Sequence, residues 1–179
     1  MNENINNSTE KVRSNKMKRT VLSLIAMATI SVPAFAGSQS ANLNVTASVA
    51  ANCTITTSPV AFGAYDPVAA NAAANLTASG SVNVACTKGT PATIDLGNGG
   101  NFLGGTRRMG SGSDFMNYSL FKDAALTQAW GSGIAGGSTA AYNAATKNVT
   151  AVTVYGMVPA AQDVTVGAYA DVVVATINY

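Results

Sequence analysis

Ala41-Asn-Leu-Asn-Val-Thr-Ala-Ser-Val49 alternates apolar and polar residues over nine positions. Successive side chains of an extended chain point to opposite faces, so this stretch presents Leu43, Val45, Ala47 and Val49 on one face. Asn44, Thr46 and Ser48 fall on the other. That is the pattern of a strand half-buried against a partner.

The same period recurs downstream. Cys53-Thr-Ile-Thr-Thr57 opens a second strand, and Ser81-Val-Asn-Val-Ala-Cys86 alternates again. Ala92-Thr-Ile-Asp-Leu96 follows a proline and stops at Gly97-Asn-Gly-Gly100. Met116–Phe121, Val149–Tyr155 and Ala168–Tyr179 complete the set. β-branched and aromatic residues dominate these runs, as strands favour. Short strands separated by Gly, Pro and Asn turns predict an antiparallel sandwich. The alanine-rich stretch Val68–Ala78 has the composition of a helix but no stripe of large apolar residues to dock one. It is read as a connection, as is the Gly/Ser/Ala-rich Gly131–Tyr142, and Gly97–Gly105 is read as a hairpin turn.

The two ends carry the most information. The last predicted strand, Asp171-Val-Val-Val-Ala-Thr-Ile-Asn-Tyr179, sets Val173, Ala175, Ile177 and Tyr179 on one face. A seven-stranded sandwich closes with one more strand, and the sequence after this one supplies none. The N-terminal stretch is therefore expected to close either its own domain or a neighbour's, by strand addition.

Ahead of it, Lys11, Arg13, Lys16, Lys18 and Arg19 precede an apolar run from Val21 to Ile30, then Pro33 and Ala34-Phe-Ala36. A basic region, a short apolar core and a small-x-small site predict a secretory signal over residues 1–36, with Met17 as an alternative start. The apolar run is too short for the ~20 residues of a membrane span. Of the 179 residues, 143 would remain, with Lys88, Arg107, Arg108, Lys122 and Lys147 against six aspartates, a net charge of −1. The basicity of the whole chain thus belongs to the signal, and no basic face for nucleic acid remains. Charged residues are only 10% of the chain and apolar ones 47%, which excludes a disordered polyelectrolyte. Cys53 and Cys86 both lie in the exported part. An even count in an oxidising compartment favours one disulfide over two buried thiols.

Chemistry is sparse. The absence of histidine removes the commonest general base and zinc ligand. There is no G-x-S-x-G, and Lys88, Lys122 and Lys147 stand in no motif that would make one the base of a serine nucleophile. Six scattered aspartates make a weak glycosidase, and Gly97–Gly105 lacks the Lys-Ser/Thr of a phosphate loop. Arg107-Arg108 is read as a solvated pair rather than an anion grip, and Trp130 as a packing residue rather than a sugar platform. We expect no catalytic residues, cofactor or metal.

Taken in order, several short elements resemble the spore coat protein U domain family, which includes subunits of archaic (Csu-type) chaperone–usher pili. They are Asn52-Cys-Thr54, Phe62-Gly-Ala-Tyr65, Val84-Ala-Cys-Thr87, Leu96-Gly-Asn-Gly99 and Arg107-Arg-Met109. Asn117-Tyr-Ser-Leu-Phe121, Trp130-Gly131, Tyr155-Gly-Met-Val-Pro159 and Gly167-Ala-Tyr-Ala-Asp171 follow. The resemblance spans nearly all of residues 41–179; Ser132 departs from it where relatives often carry an acid. It implies an all-β, incomplete immunoglobulin-like antiparallel β-sandwich completed by a donor strand from another chain. The organisation it implies is a signal over 1–36, a donor segment over 37–51 with plugs Leu43, Val45, Ala47 and Val49, and a sandwich over 52–179. The implied partners are identical or related pilin subunits, a periplasmic chaperone and an outer-membrane usher, with no nucleic acid and no membrane span in the mature form. The implied location is the cell surface, reached through the periplasm, with attachment and biofilm formation as the role. Two other readings stand beside this one: a secreted or coat-associated monomeric binding domain, and a small secreted enzyme.

Overall fold

The computed structural model describes residues 35–179, so the predicted signal lies almost wholly outside the described residues. The chain divides into two units, Met1–Val45 and Thr46–Tyr179. In the first, the described residues from Phe35 form no helix or strand, and Leu43 and Val45 are exposed. No strand forms over 41–49 in this chain. An alternating sequence becomes a strand only when its backbone groups find a partner edge.

The second unit holds β1 (Cys53–Ser58), β2 (Leu76–Cys86), β3 (Pro91–Leu96), β4 (Arg107–Ser111), β5 (Asp114–Phe121), β6 (Ala140–Asn143), β7 (Thr150–Val158) and β8 (Ala175–Asn178). Every pairing is antiparallel, in a five-stranded sheet ordered β1-β2-β7-β5-β4 and a three-stranded sheet ordered β6-β3-β8. Alternation along β2, β3, β5 and β7 sends Val82, Val84, Ile94, Leu96, Leu120, Val154 and Val158 into one core. Among the described residues every buried side-chain nitrogen and oxygen has a hydrogen-bond partner.

β1, β2, β7 and β5 follow the A-B-E-D order of an immunoglobulin-like sandwich, and β3 beside β8 gives its C and F. The place beside F, where strand G would lie, holds no strand among the described residues. Cys53 and Cys86 are direct cross-strand partners and form a disulfide. Their separation of 33 residues corresponds to roughly 3–4 kcal/mol of lost unfolded-state entropy in the loop-closure model.

Several sequence expectations are corrected here. Gly97–Gly105 is not a hairpin turn: it carries the chain from β3 in one sheet to β4 in the other. Arg107 is not solvated. At 2% exposure it opens β4, a strand whose paired arginines look like surface. Gly131–Tyr142 is a loop only as far as Thr139, after which β6 pairs with β3. Val68–Ala78 is a connection up to Asn75, since Leu76 already begins β2. The predicted strand over 168–179 shrinks to Ala175–Asn178, because the residues before it change sheets: Ala170 pairs with Gly110 of β4, while Val174 accepts a hydrogen bond from Gly97.

Candidate strand-accepting groove

The last segment of the chain lies between the two sheets, and its attachments define a closed side and an open side. On the closed side the Arg107 guanidinium donates to Gly97 O (2.9 and 2.7 Å), Leu96 O (2.7 Å) and Trp130 O (2.9 Å). Trp130 is fully buried and its indole N–H donates to Ile94 O at 3.0 Å, which leaves no face for a sugar. Burial lowers the Arg107 pKa, with Tyr118, Asp95 and Asp171 acting against that shift. Ser132 donates its backbone N–H to Asp95 at 2.8 Å and its hydroxyl to the same carboxylate. Ser132 thus caps Asp95, whose pKa is lowered: burial acts to raise it, but the Ser132 bonds, with the Leu96 N–H and Arg107, prevail.

The open side runs between β1 with its continuation to Tyr65 and the segment 164–175. Here β1 and β8 are the outer strands of their sheets, each with one unpaired edge. Between these walls lie two clefts of about 410 and 670 Å³. Val60, Phe62, Met109 and Tyr169 line both, so the clefts adjoin at these side chains. The smaller reaches the core at Val82, Leu96, Leu120 and Val154. The larger is floored by Leu76 and Met116.

Two glycines let the first wall come this close. A Cβ on Gly80 of β2 would meet Ser58 O at 2.6 Å and Pro59 O at 2.7 Å, where the chain leaves β1. On Gly156 of β7 it would meet Val60 Cγ1 at 2.6 Å and the Phe62 ring at 2.7 Å. Against backbone such an approach is not tolerated, so Gly80 requires glycine, whereas at Gly156 a side chain would force Val60 and Phe62 to shift. Phe62 packs edge-on against Tyr118, ring centroids 6.4 Å apart, and the Tyr65 hydroxyl donates to Pro159 O at 2.9 Å.

Carboxylates hold the second wall. Asp171 accepts from Gly100 N at 2.8 Å and from the Tyr118 hydroxyl at 2.6 Å. Burial, then the bond to Asp171, pushes the Tyr118 pKa upward, so it remains a donor. Asp114, at the start of β5, accepts from Thr165 N at 2.6 Å, Phe115 N at 2.9 Å and the Tyr169 hydroxyl at 3.0 Å. These bonds, Thr165 N–H first, lower its pKa from 3.8 to about 2.

The residues singled out from the sequence fall in different places. Val173 and Ala175 line the smaller cleft, Ile177 sits opposite Ile94 of β3, and Tyr179 lies past the end of β8 with 58% exposure. Leu43, Val45 and Val49 are 88%, 85% and 83% exposed, and Ala47 is exposed as well. The sequence reading missed Val60, Phe62, Met109 and Tyr169 as groove residues. A signal was present, since three of the four fall within the motifs that carry the family resemblance.

Among the described residues no group of three or more His, Cys, Asp or Glu could hold a metal, and no helix is long and apolar enough to cross a membrane. The chain resembles the chaperone–tip adhesion subunit pre-assembly complex of archaic chaperone-usher Csu pili from Acinetobacter baumannii. That similarity is 25% identity, covering 73% of this chain and 40% of that chain, with a TM-score of 0.47. It is also similar to Protein U of Myxococcus xanthus, 36% identical over 181 residues, which cover 92% of this chain and 99% of that protein. The family model for the Spore Coat Protein U domain matches residues 39–176. The chain belongs to the Spore Coat Protein U domain family.

Proposed function

We propose that this chain is a fibre subunit of the chaperone–usher kind, in which residues 41–49 of one copy occupy the groove of the next. The observation that carries the reading is the empty place beside β8, flanked by two unpaired edges and floored by apolar core. Such a site is an aggregation hazard unless a strand covers it. A strand satisfies the backbone edges and fills the pockets with every second side chain. Leu43, Val45, Ala47 and Val49 supply those side chains in the right alternation. One groove and one donor per chain make a head-to-tail contact that does not close on itself, and so a fibre.

On this reading residues 1–36 are an export signal, 37–51 the donor and 52–179 the acceptor sandwich. A periplasmic chaperone covers the groove before assembly, an outer-membrane usher is the site of exchange, and the finished fibre stands on the cell surface for attachment and biofilm growth. The test is deletion of residues 37–50. The truncated chain keeps a groove but has no plug, so added to the intact chain it should terminate fibres and make none alone. Polymerisation equal to that of the intact chain contradicts the reading.

A further inference from the structure

We infer that Asp114 is a positioning residue for the groove: its carboxylate closes the turn Thr165–Tyr169 and thereby fixes the wall that the incoming strand must meet. This rests on the strand-accepting reading above and names the group that keeps the site open.

Asp114 does not line either cleft. Its partners do. Tyr169 is one of the four residues common to both clefts, and Thr165 belongs to the wall of the larger. The carboxylate receives the Thr165 N–H at 2.6 Å and the Tyr169 hydroxyl at 3.0 Å. The same hydroxyl lies 2.8 Å from Thr165 O and 3.2 Å from Thr165 Oγ1. One anion thus gathers both ends of a short turn. The next residue, Ala170, exchanges two backbone hydrogen bonds with Gly110 of β4 at 2.9 and 3.1 Å.

Between Ala170 and the Pro159–Gln162 contacts with Tyr65 and Asn117, the segment makes no backbone pairing with a strand among the described residues, though Gly167 lies against Ser111 of β4. Of the segment's apolar members, Val164 and Tyr169 are half-buried against the core, while Val166 and Ala168 are exposed. The polar cluster adds to this packing and fixes the turn between its two apolar anchors, Val164 and Tyr169. Charge-assisted hydrogen bonds are stronger than neutral ones, and a carboxylate accepts three at once where an amide oxygen does so less well. A preformed wall spares the donor the cost of ordering it on arrival.

The experiment uses the exported chain, residues 37–179, and a labelled peptide of residues 37–51, with the same peptide carrying Val45→Asp as the control. Asp114→Ala should weaken binding of the peptide about tenfold, the equivalent of 1.4 kcal/mol. Asp114→Asn, which keeps an acceptor, should fall between. Tyr169→Phe keeps the ring in the groove and should lose several-fold. Amide exchange should quicken at 164–170 in the peptide-free variants while Val82, Val84 and Ile94 keep their protection, a separation that general destabilisation would not give. Wild-type affinity in all three variants overturns the assignment. If Asp114→Ala does not fold, Tyr169→Phe and Asp114→Asn decide. If the wild-type chain binds neither peptide, or both alike, the strand-accepting reading fails and takes this inference with it. Binding intact in the wild type and unchanged in the variants removes the inference alone.

Discussion

At Arg107 one buried guanidinium gathers the carbonyls of Leu96, Gly97 and Trp130, so the loop after β3, the start of β4 and the Trp130 loop are tied across the two sheets. Beside β8 the ties between the sheets are side-chain bonds at its margins, from Tyr118 to Asp171 and from the Tyr179 hydroxyl to Asn52 at 3.5 Å, and two clefts reach the core between them. Both regions join the same two layers. One is saturated by hydrogen bonds from within the chain, whereas the other leaves two strand edges unpaired. The contrast teaches that the domain carries its own closure on one side, which is what the proposed acceptance of a strand on the open side requires.

The largest effect should come from breaking the closed side. Arg107→Ala strands buried carbonyls at Leu96, Gly97 and Trp130 and opens a cavity beside Trp130. Losses of that kind fall in the exceptional range, about 4 kcal/mol or more. Urea unfolding of Arg107→Ala and Arg107→Lys checks it. A loss below about 1 kcal/mol in the alanine variant would mean the two sides do not differ as described.

A smaller effect belongs to the support of the first wall. Gly156→Ala forces a methyl into Val60 and Phe62, an overpacking that costs about 1–3 kcal/mol. It should displace the first wall and slow fibre growth more than it lowers the melting temperature. Equal proportional losses would show Gly156 to be a core position only.

The smallest effect is set by acid. The folded pKa of Asp114 is depressed, from 3.8 to about 2, so its contribution is present above pH ~4 and is lost as the pH falls towards 2. Limited proteolysis or amide exchange of residues 164–170 should therefore be flat from pH 7 to 5 and rise below 4 in the wild type. In Asp114→Asn the segment should already be looser at pH 7 and change less on acidification. A wild-type profile no steeper than that of the variant would remove Asp114 as the anchor.

How much of this was legible in the sequence follows from what alternation can encode. It marks residues facing a core, so Val82, Val84, Ile94, Leu120 and Val154 could be placed on strands from the sequence, and they are core in the structure. It is silent where a strand buries a charge. β4 was hidden because Arg107 and Arg108 look like surface, and only the carbonyls converging on Arg107 explain its burial. β6 was hidden by its length of four residues and its alanines. The loop after β3 was misread because glycines specify a turn but not whether it returns to the same sheet. The groove was legible only through the quoted motifs: Phe62, Met109, Tyr118, Gly156, Tyr169 and Asp171 come from five separate elements that meet there. The donor could be written down as a pattern, but a strand needs an edge, and no strand forms over 41–49 in this chain.

The measurement that tests the central claim most directly compares fibre formation by Val45→Asp and Thr46→Asp in electron micrographs. Neighbouring residues of a strand face opposite ways, so on the proposed reading Val45 would enter the groove while Thr46 would stay in solvent. A carboxylate at Val45 would have to be buried among apolar residues, whereas one at Thr46 should cost no more than about 0.5 kcal/mol. The account predicts no fibres from Val45→Asp and normal fibres from Thr46→Asp. Equal outcomes would contradict the claim that this segment is read as an alternating strand, and the reverse outcome would contradict the face assigned to it.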